Sequence, residues 1–238
     1  MDPLAESRWR QAFPWLTETG RSRDLFRLLR VSENLYRSSA SQLRALGQFE
    51  QARKADRRAE WARFQLDDPL AVGELYAVTR NLRQVSDQGP LLTMALDGAM
   101  ALLNAERGNI QLLDPATGSL TIAVQCGFRA EFLEYFAVVN DARSACGRAA
   151  RGGSPVHITD VTRDSAFAPH REAAAAAGFR SVQSTPLMDA AGNLLGVLST
   201  HYTEPSQMQD ADRLIIRHYG ELVGQIMTQR YGHLAGLG

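Results

Sequence analysis

Through the first third of the chain, apolar residues recur at helical spacing. From Asp24 to Phe64, the residues Leu25, Leu28, Leu29, Leu35, Leu43, Leu46, Phe49 and Trp61 stand mostly three, four or seven apart with arginines between them, which predicts a long, paired helix. Asp67-Asp68-Pro69 interrupts that pattern with an aspartate to cap and a proline for the first helical turn, and a further helix runs to Val85. Residues 1–85 therefore read as a helical hairpin or bundle. Unless its two arms pair, such an extension must bury its stripe on the rest of the chain or on a second copy of itself.

After a hinge at Ser86-Asp87-Gln88-Gly89-Pro90, a helix to Asn104 carries Leu92, Leu96, Ala99, Met100 and Leu103. The pattern then changes to alternation. Asn109 to Asp114 and Ser119 to Gln125 predict a hairpin about Pro115-Ala116-Thr117-Gly118. Residues 127–179 form an excursion: short helices at Glu131–Phe136 and Ser144–Ala150, a lone strand at Pro155–Thr159, and a loop leading into an alanine-rich helix before Gly178. A second hairpin, Ser181–Leu187 and Leu194–Tyr202, turns at Asp189-Ala190-Ala191-Gly192. The last helix opens at Pro205-Ser206 with Ser206 as N-cap and Gln209 as its capping-box partner. Its broad apolar face is Met208, Ile215, Tyr219, Leu222 and Ile226, flanked by Ile216, Val223 and Met227.

On the second hairpin, alternation assigns Ser181, Gln183, Ser199 and His201 to one side of otherwise apolar strands. Two readings stay open, a solvated face and a polar-lined pocket beside a core.

Composition narrows the class. The 238 residues are 45% hydrophobic, enough for a real core. No apolar run approaches the roughly 20 residues that span a bilayer. The acidic and arginine-bearing Met1–Arg10 does not read as a signal peptide, so a cytoplasmic protein is expected. Net charge is zero, which offers no global field for nucleic acid or an anionic membrane. The charge is uneven, with 15 basic and 11 acidic residues before position 86 and the reverse after it. That shift, and the confinement of Trp9, Trp15 and Trp61 to the first part, sets the expected boundary: an extension over 1–85 and a second domain over 86–235. Lys54 is the only lysine, a bias that points to a GC-rich bacterial genome.

Cys126 and Cys146 lack metal-ligand or disulfide spacing. Cys146 is expected at a helix start, where the dipole would stabilise a thiolate; it is either a nucleophile or a packed thiol. Asp160, at the end of the lone strand, either meets a ligand or caps the following turn. No Ser-His-Asp arrangement, phosphate loop or His-rich metal spacing is present.

Residues 90–230 resemble a GAF domain of bacterial signalling proteins. The likeness is carried, in order, by Ala105-Glu106-Arg107-Gly108-Asn109, Asp114-Pro115-Ala116-Thr117-Gly118, Ser144-Ala145-Cys146-Gly147, Val156 to Val161, Ser184-Thr185-Pro186-Leu187 and Gly196-Val197-Leu198-Ser199-Thr200-His201. It implies an α+β fold: an antiparallel sheet with the first and last helices on one face and, on the other, a ligand pocket under the excursion. It also implies that His170 and His201 approach the pocket, since in the similar phytochrome GAF domains the corresponding histidines line a bilin. Here the attachment cysteine and the Asp-Ile-Pro signature are absent. Free methionine sulfoxide reductases of this family place a cysteine near Cys146, but the 160s segment offers no resolving thiol. The expectation is therefore a non-enzymatic, homodimeric sensor. It binds an unidentified small molecule through Ser181, Gln183, Ser199, His201, His170, Cys146 and Asp160, and signals to a protein partner through its terminal helices. The cofactor is unknown, and neither nucleic acid nor membrane is a partner. A reductase centred on Cys146, a tetrapyrrole sensor and a ligand-free adaptor are the alternatives.

Overall fold

A turn that the apolar spacing does not register divides the first helical stretch. In the computed structural model, which describes residues 22–231 and positions 7, 8 and 11, helix α1 (Ser22–Ala45) ends at Gly47 in the left-handed region, φ +73°. Gln48 N–H donates to Leu43 O at 2.8 Å and Gly47 N–H to Arg44 O at 3.0 Å, the paired bonds of a glycine-terminated helix. Helix α2 (Phe49–Asp67) then runs back along α1, with Arg44 bonded to Asp56 and Arg63 4.0 Å from Glu33. The expected long helix is thus two antiparallel ones.

Their packing also corrects the expected stripe. The buried apolar residues are Ala40, Ala52, Ala55, Ala59, Ala62, Phe64 and Leu66, whereas Leu28, Leu35, Leu46 and Phe49 are 61%, 62%, 71% and 62% exposed. Alanines let the two backbones approach, and the larger side chains are turned out. Trp9, Trp15 and most of Met1–Arg10 lie outside the described residues, as does the side chain of Leu25. Helix α3 (Pro69–Leu82) starts as its sequence predicts, with Asp68 Oδ1 accepting from Ala71 N–H at 3.2 Å.

The chain divides into two units, Met1–Ala77 and Val78–Gly238. The second is α+β. Helix α4 (Gln88–Leu103) leads to β1 (Arg107–Leu113) and β2 (Leu120–Cys126), then α5 (Ala130–Tyr135), β3 (Val138–Val139), α6 (Ala145–Gly152) and β4 (Val156–Ile158). A 3₁₀ turn (Ala168–His170) and α7 (Arg171–Ala177) precede β5 (Ser181–Met188), β6 (Leu194–Tyr202) and α8 (Asp210–Tyr231). The strands form one antiparallel sheet of six in the order β3-β2-β1-β6-β5-β4.

Helices α4 and α8 cover one face. Tyr219 O–H donates to Ala95 O at 2.8 Å, joining the two helices. Gly224 lets α8 lie so close to β5 that a Cβ there would stand 2.2 Å from Met188 O. The excursion covers the other face and builds a second core from Phe128, Phe132, Phe136, Phe167, Phe179, Val182 and Val197 among others. Helix α8 begins at Asp210, four residues after the predicted cap. The backbone of Ser206 is instead held at the sheet edge: its N–H donates to Thr159 O at 3.1 Å and its O accepts from His157 Nε2 at 2.7 Å. Among the described residues no helix is long and apolar enough to cross a membrane.

Candidate functional site

The register of the β5–β6 hairpin determines which side chains share a face. Pairing couples Ser184 with Ser199 and Val182 with His201, while Met188 pairs with Leu194, so β6 carries one extra residue, Leu195, at the turn end. An inserted residue reverses which positions lie together beyond it. Ser199 and His201 therefore face the excursion with Ser184 and Val182, and the expectation that Ser181 and Gln183 share their side is corrected. Those two lie on the face of Thr185, against α8. Ser181 Oγ donates to Ile158 O at 3.0 Å, and Gln183 Nε2 donates to Thr185 Oγ1 at 3.2 Å.

Beneath the excursion is a cavity of about 20 Å³. Its floor is Asn109 and Gln111 of β1, Val182 and Ser184 of β5, and Ser199 and His201 of β6. Phe132 and Phe136 descend from the α5 segment, Ser144, Ala145 and Cys146 from the start of α6, and Phe167 and Phe179 close the remaining wall. The volume suits one or two waters, at roughly 10–15 Å³ each. It is far below the roughly 300–1,000 Å³ of sites for drug-sized ligands, so a tetrapyrrole does not fit the cavity in this form.

The floor is polar and buried. Ser184 Oγ and Ser199 Oγ bond to each other at 2.8 Å. Asn109 Oδ1, both amide atoms of Gln111, and His201 Nδ1 have no hydrogen-bond partner among the described residues. The His201 ring is edge-on to Phe179 at 4.7 Å and to Phe128 at 4.9 Å. Burial, with Arg107 nearby, pushes its pKa down to about 3, so the imidazole is neutral at physiological pH.

Cys146 reaches the cavity as a thiol. Ser144 caps α6 by accepting from Gly147 N–H at 3.1 Å, and Cys146 Sγ lies 3.5 Å from the same oxygen. Burial pushes the Cys146 thiol up to about 11. Of the two readings left open, this favours the packed thiol, since desolvation outweighs the helix start. Both cysteines are free.

His170 is buried beside the cavity, not in its lining. Its Nδ1 is 3.1 Å from Tyr135 Oη, and its Nε2 is 3.4 Å from Asp141 Oδ1. Tyr135 Oη also donates to Pro169 O at 3.1 Å, so these residues tie α5 to the 3₁₀ turn. Asp160 lies elsewhere, at an open surface cleft of about 530 Å³ with His157, Arg163 and Arg180. Its carboxylate accepts from Arg180 Nη2 at 2.7 Å, Arg180 Nε at 3.2 Å and Thr162 Oγ1 at 2.7 Å. Those bonds, from Arg180 first and then Thr162, hold it well below the usual carboxylate range. Its backbone O accepts from Arg163 and Asp164 N–H at 3.1 and 3.2 Å, the capping geometry.

Among the described residues no group of three or more His, Cys, Asp or Glu is placed to hold a metal ion. Asn109, Gln111 and Ser184 are absent from the sequence-based candidates. The signal was available for the first two, polar residues alternating with Ile110 and Leu112.

No curated protein matches the chain. Among solved structures, the fold is similar to the GAF domain of a phosphoenolpyruvate-protein phosphotransferase from Coxiella burnetii, with 13% identity, a TM-score of 0.61, and coverage of 69% of this chain and 96% of that one. It is similar also to a free methionine-R-sulfoxide reductase from Neisseria meningitidis in complex with its substrate, with 18% identity, a TM-score of 0.58, and coverage of 69% and 92%. A domain of a two-component sensor histidine kinase from Sinorhizobium meliloti matches with 17% identity, a TM-score of 0.53, and coverage of 63% and 97%. The family model for the GAF domain matches residues 88–227, more than half of the chain, and with the sheet order, the helix pair and the roofed cavity in place, the chain belongs to the GAF domain family.

Proposed function

We propose that the chain is a sensory module of signal transduction, in which a small molecule held under the excursion biases the arrangement of the helices on the opposite face. The observation that carries this reading is the row of buried polar atoms on β1 and β6 that have no partner among the described residues. Such atoms cost free energy unless something satisfies them, and a ligand with matching groups would do so. The sensor kinase among the similar structures is in keeping with this role.

A route for coupling runs through β5. Ser184 lies on the cavity floor, and the next residue, Thr185, touches α8 so closely that a Cβ on Gly220 would stand 2.7 Å from Thr185 Cγ2. A ligand shifts the output only by binding one helix arrangement better than the other, and roughly 1–3 kcal/mol of coupling suffices. The helical extension, residues 1–85, passes the change on in a cytoplasmic homodimer and to a signalling partner. An exposed row on α1, Leu28, Val31 and Leu35, supports self-association.

A neighbouring reductase and a cysteine in the cavity favour a second reading, sulfoxide reduction at Cys146. The raised thiol pKa weighs against it.

A thermal-shift screen of small metabolites on wild type and Ser199→Leu tests the sensory reading. Compounds that raise the Tm of wild type and leave the filled-cavity variant unmoved are expected. If no compound separates the two, the ligand reading is lost.

A further inference from the structure

The cavity offers hydrogen bonds of both kinds and no charge to meet an ion. Gln111, 1% exposed, presents both a free amide N–H₂ donor and a free carbonyl acceptor. Asn109 Oδ1 adds an acceptor, and His201 Nδ1 a further polar atom. Gln111 and Asn109 belong to one strand, two residues apart, and point to the same face. The two serine hydroxyls are engaged with each other at 2.8 Å. Nothing in the lining is ionised: Cys146 is a buried thiol and His201 a neutral imidazole.

Arg107, whose charge is felt at His201, spends a guanidinium N–H on Gly178 O at 3.1 Å. Asp141 accepts from Arg143 and Ser144 N–H at 2.6 and 2.7 Å, and Asp164 is paired with Arg148 at 3.1 Å. An anion or cation entering the cavity would lose its hydration without a counter-charge, whereas a neutral polar group would lose less and recover hydrogen bonds. The walls are the aromatic side chains of Phe132, Phe136 and Phe179, which leave the hydrogen-bonding groups to the floor.

Building on the sensory reading above, we infer that the cavity takes a small, uncharged, planar molecule carrying an N–H donor beside a C=O acceptor, the chemistry of an amide, urea or lactam. The roof over it is a short helical segment tied to its neighbours by Tyr135. Because the cavity of about 20 Å³ holds no more than water, entry of such a molecule requires this segment to move outward.

An isosteric series tests the inference: acetamide, acetate and acetamidinium, titrated into the full chain at equal pH and ionic strength. The side-chain amide resonances of Asn109 and Gln111 are followed by two-dimensional NMR. Acetamide is expected to give saturable shifts of both amides, with each ion weaker by at least about tenfold. Gln111→Leu, close in volume and without polar atoms, is expected to abolish the saturable shift of Asn109. If that variant does not fold, the wild-type ratio of amide to ions decides alone. Acetate or acetamidinium binding as well as acetamide overturns the uncharged class and leaves the sensory cavity standing. A folded wild type with no saturable shift from any of the three overturns the class and the cavity as a ligand site together.

Discussion

Ser184 and Ser199 satisfy each other on the cavity floor, 2.8 Å apart and 1% and 2% exposed. Removing either oxygen leaves the other buried without its partner. Ser184→Ala and Ser199→Ala are each expected to cost about 1–3 kcal/mol in denaturant titrations, and the double variant less than their sum. Strict additivity would show that the two hydroxyls do not depend on each other. His201 gives a second test. Burial depresses its folded value to about 3 from 6.5, so the contribution of the neutral ring is complete above pH 6.5 and is lost as pH falls toward 3. At pH 5 the loss amounts to about 2 kcal/mol. His201→Gln, which cannot titrate, is expected to gain that much on wild type between pH 7 and pH 5, and parallel stability curves would contradict the burial. At this scale the sequence showed polar residues on apolar strands but not their side. The extra residue Leu195 is invisible to a period-two count, and it moved Ser181 and Gln183 to the helix face while bringing Ser184 to the cavity. Cys146 is legible as the start of a helix, but its protonation state depends on how deeply the excursion buries it.

Among the elements, α5 is a short part of the roof, six residues, with Tyr135 bonded to Pro169 O and to His170. Tyr135→Phe is expected to raise amide hydrogen exchange over residues 130–136 and leave β1, β5 and β6 unchanged, since the sheet ladder does not pass through that hydroxyl. Helix α8 is secured differently, by backbone proximity at Gly224. Gly224→Ala is expected to destabilise by about 1–3 kcal/mol or more, because neither Met188 O nor the helix backbone can move freely. Element identities came through the sequence well where caps and turns had strong chemistry, as at Asp68-Pro69 and Ser144. They failed at Gly47, where the apolar spacing continued across a glycine turn, and at Ser206, whose backbone pairs with the distant β4 edge. Tertiary bonds of that kind leave no local pattern.

For the whole molecule, the order of helices and hairpins was enough to identify the α+β architecture and the family, because both hairpins, β1–β2 and β5–β6, stand where the turn signals put them. The occupant of the cavity was not legible, since it depends on which polar atoms remain unpaired after packing. Self-association belongs to this scale. Leu28→Glu combined with Leu35→Glu places charge on the exposed α1 row and is expected to convert a dimer to monomer in light scattering; a monomeric wild type would remove that part of the proposal. Occupancy under the excursion is proposed to be felt by α8 across the sheet. Its most direct test is amide hydrogen exchange on the full chain, with and without the compound that most raises the wild-type Tm. Slower exchange is expected both in α5 and along Ile215–Met227 of α8, with both effects lost in Ser199→Leu. Protection confined to the excursion, with α8 unchanged, would contradict it.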